Sequence, residues 1–220
     1  SLIFRLVETG KITGLRIDHV DGLYDPREYL ERIRKKTGNT FMVVEKILEP
    51  GEILPDSWPV QGTTGYDFMY HVNGLLCENR HEKQLSRIYK DFTGMKGVYA
   101  HILLDKKRLI IEKHMGGDVD NLALLLKSVS ARDRYGGDIT LSFLRKGFVA
   151  VMASFPVYRT YIRKGSFTEK DVEYIVTAAN RAVRDHPDLL KELEFIRRFL
   201  LLEPADYLTD EKIEERTAFV

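Results

Sequence analysis

Cysteine is almost absent from this chain, Cys77 being the single one. That excludes an internal disulfide and a cysteine-rich metal site. An excess of one charge is lacking too. The 34 basic and 33 acidic residues leave a formal net charge of +1, so nothing electrostatic argues for nucleic acid or an acidic membrane as partner. No run approaches the ~20 apolar residues of a membrane span, and the N-terminus does not read as a signal peptide. The six histidines are scattered without an H-x-x-x-H or H-E-x-x-H pair, so no metal site of that kind is expected. "MGGDVDN" at 115–121 lacks the spacing and closing Glu of a calcium loop, and "DRYGGDIT" at 133–140 reads as a turn. Glutamine and asparagine are scarce, at two and five residues, whereas charged residues make up 30%. That bias suits a thermophile. With 44% hydrophobic residues over 220 positions, the expectation is a soluble cytoplasmic protein of one large domain or two small ones.

What is present is organised in two textures. "SLIFRLVETG" reads as the end of an amphipathic helix stopped by Gly10. Residues 13–18 alternate Leu15 and Ile17 with Arg16 and Asp18, the pattern of a short strand. "DPREYLERIRKKTG" follows, with Asp25 as cap, Pro26 at the first helical position, Tyr29, Leu30 and Ile33 on the apolar face, and Gly38 as stop. "TFMVVEKIL" is then a continuous apolar run, the expected mark of a strand buried on both faces. Helix, strand, helix, strand makes a βαβ unit with a parallel sheet. Each strand ends in a carboxylate, Asp18 and Glu45, and carboxyl ends of parallel strands are where α/β active sites form.

Beyond about residue 75 the period changes. Six stretches carry helical spacing, namely "EKQLSRIYKDF", "AHILLDKKRLIIEKHM", "VDNLALLLKSVSARDRY", "LSFLRKGFVAVMASF", "EKDVEYIVTAANRAVRDH" and "DLLKELEFIRRFLLL". "EERTAFV" reads as one more helix. The fold class expected is α/β: part of a (β/α)8 barrel, contributing two parallel strands in residues 1–75, followed by a large, mainly α-helical insertion subdomain in 76–220. A whole barrel takes ~200 residues or more, so the chain reads as a piece of a larger enzyme, or as a barrel segment carrying a large helical insertion.

"GLRIDHVDGL" at 14–23 and "VVEKIL" at 43–48 resemble the nucleophile and acid/base strands of the α-amylase superfamily. The longer run "VVEKILEPGEILPDSWPVQGTTGYDF", with "FPVYRTYI" at 155–162, is similar more narrowly to the maltooligosyltrehalose synthases. His19 and the Asp21-Gly22 pair favour that narrower likeness over a general amylase. The resemblance implies transfer of glucose within a maltooligosaccharide, from a reducing-end α-1,4 bond to an α,α-1,1 bond, with no cofactor and no metal. It also implies a third carboxylate, an Asp expected a little beyond Val220, and a first conserved segment before Ser1. The partners expected are the maltooligosaccharide and the remainder of the enzyme chain that completes the barrel; this segment alone is expected to be inactive.

The chemistry stands on the residues as well. A retaining glycoside enzyme needs two carboxyl groups about 5–5.5 Å apart, and neighbouring strands lie ~4.8 Å apart. Asp18 is the candidate nucleophile. Arg16, two residues earlier on the same strand face, would keep it ionised and aimed. Glu45 follows "FMVV", apolar surroundings that suit a general acid/base. The plainer alternative is a strand-end ion pair and a solvated Glu. His19, Asp21 and Lys46 flank the strand ends, either binding sugar hydroxyls or orienting the catalytic groups.

Two readings stay open for "GTTGYDF". In one, Thr63 or Thr64 caps a helix and Tyr66 packs in the core; in the other, Tyr66 stacks on a sugar and Asp67 accepts its hydroxyls. Tyr158, Arg159 and Tyr161 either reach the site from the helical block or, the reading favoured for Tyr158 and Tyr161, are packed, half-buried aromatics. Two rival functions remain beside the synthase: an α-amylase-type hydrolase of α-glucans, and a non-catalytic helical glucan-binding or scaffold fragment.

Overall fold

The computed structural model describes residues 1–95, 97–131, 133–162, 167–204 and 208–220. Its contacts divide the chain into two units, Ser1–Met95 and Lys96–Val220. The change in sequence texture near 75 and the division in contacts therefore fall at different places.

The first unit opens with α1 (Leu2–Glu8) and β1 (Gly14–Ile17), then α2 (Pro26–Thr37) and β2 (Phe41–Val44). β1 and β2 pair in parallel, with Gly14 opposite Phe41 and Ile17 opposite Val44. α2 starts and stops where its sequence dictates. Asp25 accepts the Glu28 N–H at 2.8 Å, Pro26 occupies the first turn, and Arg34, Lys35 and Lys36 sit in the last turn. Gly38 closes it with φ of 59°, a conformation glycine takes without a Cβ penalty.

A third strand, β3 (Gly62–Thr63), corrects the expected count of two. It runs parallel to β2, with Val43 opposite Gly62 and Val44 opposite Thr63. Arg34 brings it there. Its guanidinium donates to the carbonyls of Pro59 (2.6 and 3.0 Å), Gly38 (2.8 Å) and Thr40 (2.6 Å), and to Gln61 Oε1 at 3.2 Å. Gln61 exchanges bonds with the β2 backbone: Oε1 accepts the Met42 N–H at 2.7 Å, and its own N–H reaches Met42 O at 2.8 Å. One α2 side chain thus anchors the loop that delivers β3.

Burial corrects a second expectation. β2 is not covered on both faces: Met42 and Val44 are fully buried, whereas Phe41 is 55% exposed. Leu15 and Ile17 are half-buried, and Arg16 is exposed. On the face bearing Phe41, Val43 is half-buried. α3 (Tyr66–Leu75) and α4 (Glu82–Thr93) complete this unit and bury none of their residues. The apolar stripe Leu85, Ile88, Tyr89 and Phe92 of α4 faces outward.

In the second unit every regular element among the described residues is helical: α5 (Tyr99–His114), α6 (Gly116–Ser130), α7 (Leu141–Ser154), α8 (Glu169–Asp185), α9 (Leu190–Leu200) and α10 (Asp210–Phe219), with a short 3-10 turn at Pro187–Leu189. "MGGDVDN" is the start of α6, and α6 stops at Ser130; Arg132, inside the stretch expected to be helical, lies outside the described residues. α7 is the centre. It buries Leu144, Phe148, Val149, Ala150, Val151 and Ala153 and packs against α5, α6, α8 and α9, as a helix whose second half is apolar nearly all round must. Among the described residues no helix is long and apolar enough to cross a membrane.

The turn at 133–140 is built from its polar groups. Asp133 Oδ1 accepts the N–H groups of Tyr135 (2.8 Å) and Gly136 (3.1 Å). Lys127 Nζ donates to the carbonyls of Gly137 and Ile139, both at 2.7 Å. Gly136 lies under the Phe195 ring with no room for a Cβ, and a Cβ at Gly147 would stand 2.6 Å from Ile196 Cδ1. These two glycines should behave differently. Gly136→Ala displaces a whole aromatic ring and should cost about 1–3 kcal/mol. In Gly147→Ala one terminal methyl turns aside, and the helix gains about 1 kcal/mol of propensity, so its stability should stay near that of the parent. Denaturant melts of the two variants check the difference.

Candidate active site

The sheet register builds the site. Ile17 stands opposite Val44, and the ladder continues one step further: the Glu45 N–H donates to Ile17 O at 2.8 Å and the Thr64 N–H to Val44 O at 3.0 Å. Extending the register by one residue sets Asp18 across from Glu45 on adjacent strands, where parallel chains are ~4.8 Å apart. Alternation then separates two sets of side chains. Arg16, Asp18 and Glu45 share one face, while Leu15, Ile17, Met42, Val44 and Lys46 belong to the other.

Arg16 Nε donates to Asp18 Oδ1 at 2.5 Å. The pair is more than half exposed. The Asp18 hydrogen bond and charge raise the Arg16 pKa above its already high ordinary value, and Glu45 and Tyr66 act in the same direction. Asp18, Glu45 and the half-buried Tyr66 therefore converge electrostatically on one guanidinium.

His19 contributes through its backbone. Its N–H donates to Glu45 Oε2 at 2.8 Å, tying the loop after β1 to the carboxylate after β2. To do so His19 takes a left-handed conformation, φ 50° and ψ 44°, which costs a non-glycine residue about 1–2 kcal/mol. Two neighbours hold it there. Val20 is fully buried, and Gly22 lies directly under the imidazole, where a Cβ would collide with the ring.

Lys46 and Asp21 do not face solvent with the others. Lys46 is 1% exposed, and its Nζ lies 2.8 Å from Glu52 Oε1 and 3.2 Å from Asp21 Oδ2. Glu52, in the loop after β2, escaped the sequence reading. The available signal was the lysine itself: a Lys continuing the buried face of an apolar strand needs a carboxylate partner.

In the 62–67 loop the cap differs from expectation. Gly65, with φ of 98°, is the N-cap of α3, and neither Thr63 nor Thr64 caps it by side chain. The Thr63 hydroxyl instead bonds Asp67 Oδ1 and accepts the Gly65 N–H at 3.2 Å. Asp67 is exposed and Tyr66 half-buried. Elsewhere, Tyr158 is 67% exposed and not packed, and Arg159 lies over the Tyr161 ring at 5.3 Å. No group of three or more His, Cys, Asp or Glu among the described residues could hold a metal ion.

The fold and these groups define the class first: a parallel α/β unit with its charged residues gathered at the carboxyl ends of the strands. Comparison with known proteins narrows it. No family model matches the chain. Two Mycobacterium tuberculosis proteins named as maltooligosyl trehalose synthases are each 40% identical over 105 residues, 46% of this chain and 14% of theirs. The structure of maltooligosyltrehalose synthase from Arthrobacter ramosus superposes with a TM-score of 0.77 at 26% identity, covering 99% of this chain and 26% of that one. The DSM5389 glycosyltrehalose synthase gives 0.63 at 32% identity, over 91% of this chain and 24% of that one. In sequence and in fold this chain is similar to the maltooligosyltrehalose synthases, and it spans about a quarter of the length of the solved structures it matches.

The Thr63–Asp67 bond yields a measurable consequence. The Thr63 hydroxyl, helped by the N–H groups of Asp67 and Phe68 and the charge of His71, holds the Asp67 carboxyl below the usual aspartate range against a desolvation that works the other way. A carboxyl lowered in the folded state adds stability above its unfolded pKa, and that stability is lost as pH falls through the folded value. Thr63→Val should move the Asp67 midpoint upward, toward the ordinary value, in an NMR titration; an unmoved midpoint would assign the effect to the helix terminus alone.

Proposed function

We propose that this chain is the part of a maltooligosyltrehalose-forming enzyme that carries its nucleophile and its acid/base. The three parallel strands are read as part of a (β/α)8 barrel, residues 1–75 as its segment and 76–220 as a helical subdomain. The observation that carries the proposal is the register: Asp18 across from Glu45, each held by a named bond, in a chain similar to the maltooligosyltrehalose synthases.

The reaction proceeds in two displacements. An Asp18 carboxylate oxygen attacks the anomeric carbon beside the reducing-end glucose. The bond from that carbon to the glucose O4 breaks, its electron pair goes to O4, and Glu45 supplies the proton. Arg16 directs the Asp18 carboxylate through its Nε–Oδ1 hydrogen bond. The freed glucose stays in the site and turns its own anomeric hydroxyl toward the glycosyl–Asp18 ester. Glu45, now a carboxylate, takes the hydroxyl proton as that oxygen attacks, and Asp18 leaves. Two inversions give net retention. No water is consumed, and keeping water out separates this outcome from hydrolysis. Tyr66 and Asp67 are proposed sugar contacts, the ring by stacking and the carboxylate by accepting hydroxyls. His19 and Asp21 lie beside the same strand ends.

The test uses the full-length protein that contains this chain, with maltopentaose as substrate. Asp18→Asn should abolish formation of the non-reducing product while substrate still binds. Glu45→Gln should lower turnover about 10²–10⁴-fold, yet a substrate with a very good leaving group should still be attacked, because only the first displacement can dispense with the proton. Near-normal turnover of maltopentaose by Glu45→Gln would refute the assignment. Release of reducing sugar by the parent enzyme, in place of its loss, would favour the amylase-type hydrolase.

A further inference from the structure

We infer that Lys46, clamped between Asp21 and Glu52, is a positioning residue that sets the Glu45 carboxylate by locking the two loops that follow β1 and β2. The inference rests on the proposed role of Glu45 and extends it to residues that do not touch the substrate.

The geometry has three parts. Lys46 is the next residue after Glu45, so the chain sends the two side chains to opposite faces. Glu45 reaches the His19 N–H, and Lys46 goes into the interior with its side chain fully buried. The Lys46 ammonium then spans two loops. Asp21 belongs to the 3-10 turn Val20–Gly22 after β1, and Glu52 lies six positions on in the loop after β2. Third, Asp21 is two residues from His19, whose left-handed backbone aims its N–H at Glu45. Fixing Asp21 therefore fixes the turn that holds Glu45, while fixing Lys46 sets the backbone from which Glu45 projects. Both ends of the His19–Glu45 hydrogen bond are tied to one ammonium.

Stability is a poor explanation for this arrangement. Buried ion pairs commonly match, and rarely exceed, well-packed apolar residues of the same volume. Their best-attested use is to select one arrangement among several. Here the selected arrangement is the one that directs an acid/base, and a displacement of about 1 Å at such a group can cost on the order of 10²-fold in rate. Direct sugar binding by Lys46 is the competing role, but its ammonium is enclosed by the two carboxylates and away from solvent.

The experiment compares the parent full-length enzyme with the charge-balanced pair Lys46→Met with Glu52→Gln, and with Glu52→Gln alone. Turnover of maltopentaose gives kcat and KM, thermal melts report folding, and backbone hydrogen exchange is followed over residues 18–23. The double variant should melt near the parent, keep KM within about 2-fold and lose about 10–100-fold in kcat. Its 18–23 segment should exchange at least about tenfold faster. Glu52→Gln should show the same pattern with smaller changes. A raised KM with kcat retained would make Lys46 a substrate contact and overturn the inference. Unchanged kcat and exchange would reduce the cluster to packing. Loss of folding in both variants would make it a folding element, which also overturns the positioning role. The exchange arm needs no activity, so if the parent enzyme makes no trehalose-type product, the functional reading fails by itself and the clamp is still judged.

Discussion

The parallel register of β1 and β2 is the constraint on which the first unit depends. A shift by one residue would turn Arg16 and Asp18 to the opposite face of the sheet, since side chains alternate with a period of two. The observed pairing keeps Met42 and Val44 buried on one side and sends Asp18 and Glu45 to adjacent strand ends on the other. Apolar burial therefore chooses the register, and the register places the charges. The chemistry proposed for the site is a consequence of which methyl groups leave water.

Buried or half-buried cations then act as fasteners where the backbone has no regular partner. Arg34 gathers the carbonyls of Gly38, Thr40 and Pro59 and so supports the approach to β3. Lys46 holds carboxylates from two loops. Lys127 satisfies two carbonyls of the 133–140 turn in the second unit. In each case a long side chain in or just beyond a regular element supplies donors to a segment that cannot supply its own, and an unpaired buried carbonyl or carboxylate would be costly.

The second unit follows a different logic. The second half of α7, from Gly147 to Ser154, is buried nearly all round, and α5, α6, α8 and α9 pack against the helix. Close approach depends on residues without side chains, Gly136 beneath Phe195 and Gly147 against Ile196. α10 adds Phe219 edge-on to Phe199 at 5.1 Å, with Arg216 over the same Phe199 ring. Its helices were legible from their spacing, because a period of 3.6 is a property of the local chain.

Local chemistry likewise made α2 readable from end to end: Asp25, Pro26 and Gly38 act on their immediate neighbours. The β1 and β2 segments and their terminal carboxylates were readable for the same reason. β3 was not, because two residues carry no period, and its place depends on Arg34 and Gln61 from elsewhere in the chain. The run "FMVV" could not reveal that Phe41 stays open, since apolar residues read alike whichever face is covered. Nor could it reveal that Lys46 turns inward to meet Glu52. Propensity and spacing act over a few residues and were determined by the sequence by itself. Which face is covered, and which charge meets which across a loop, depends on segments brought together only when the chain folds, and that the tertiary structure decided.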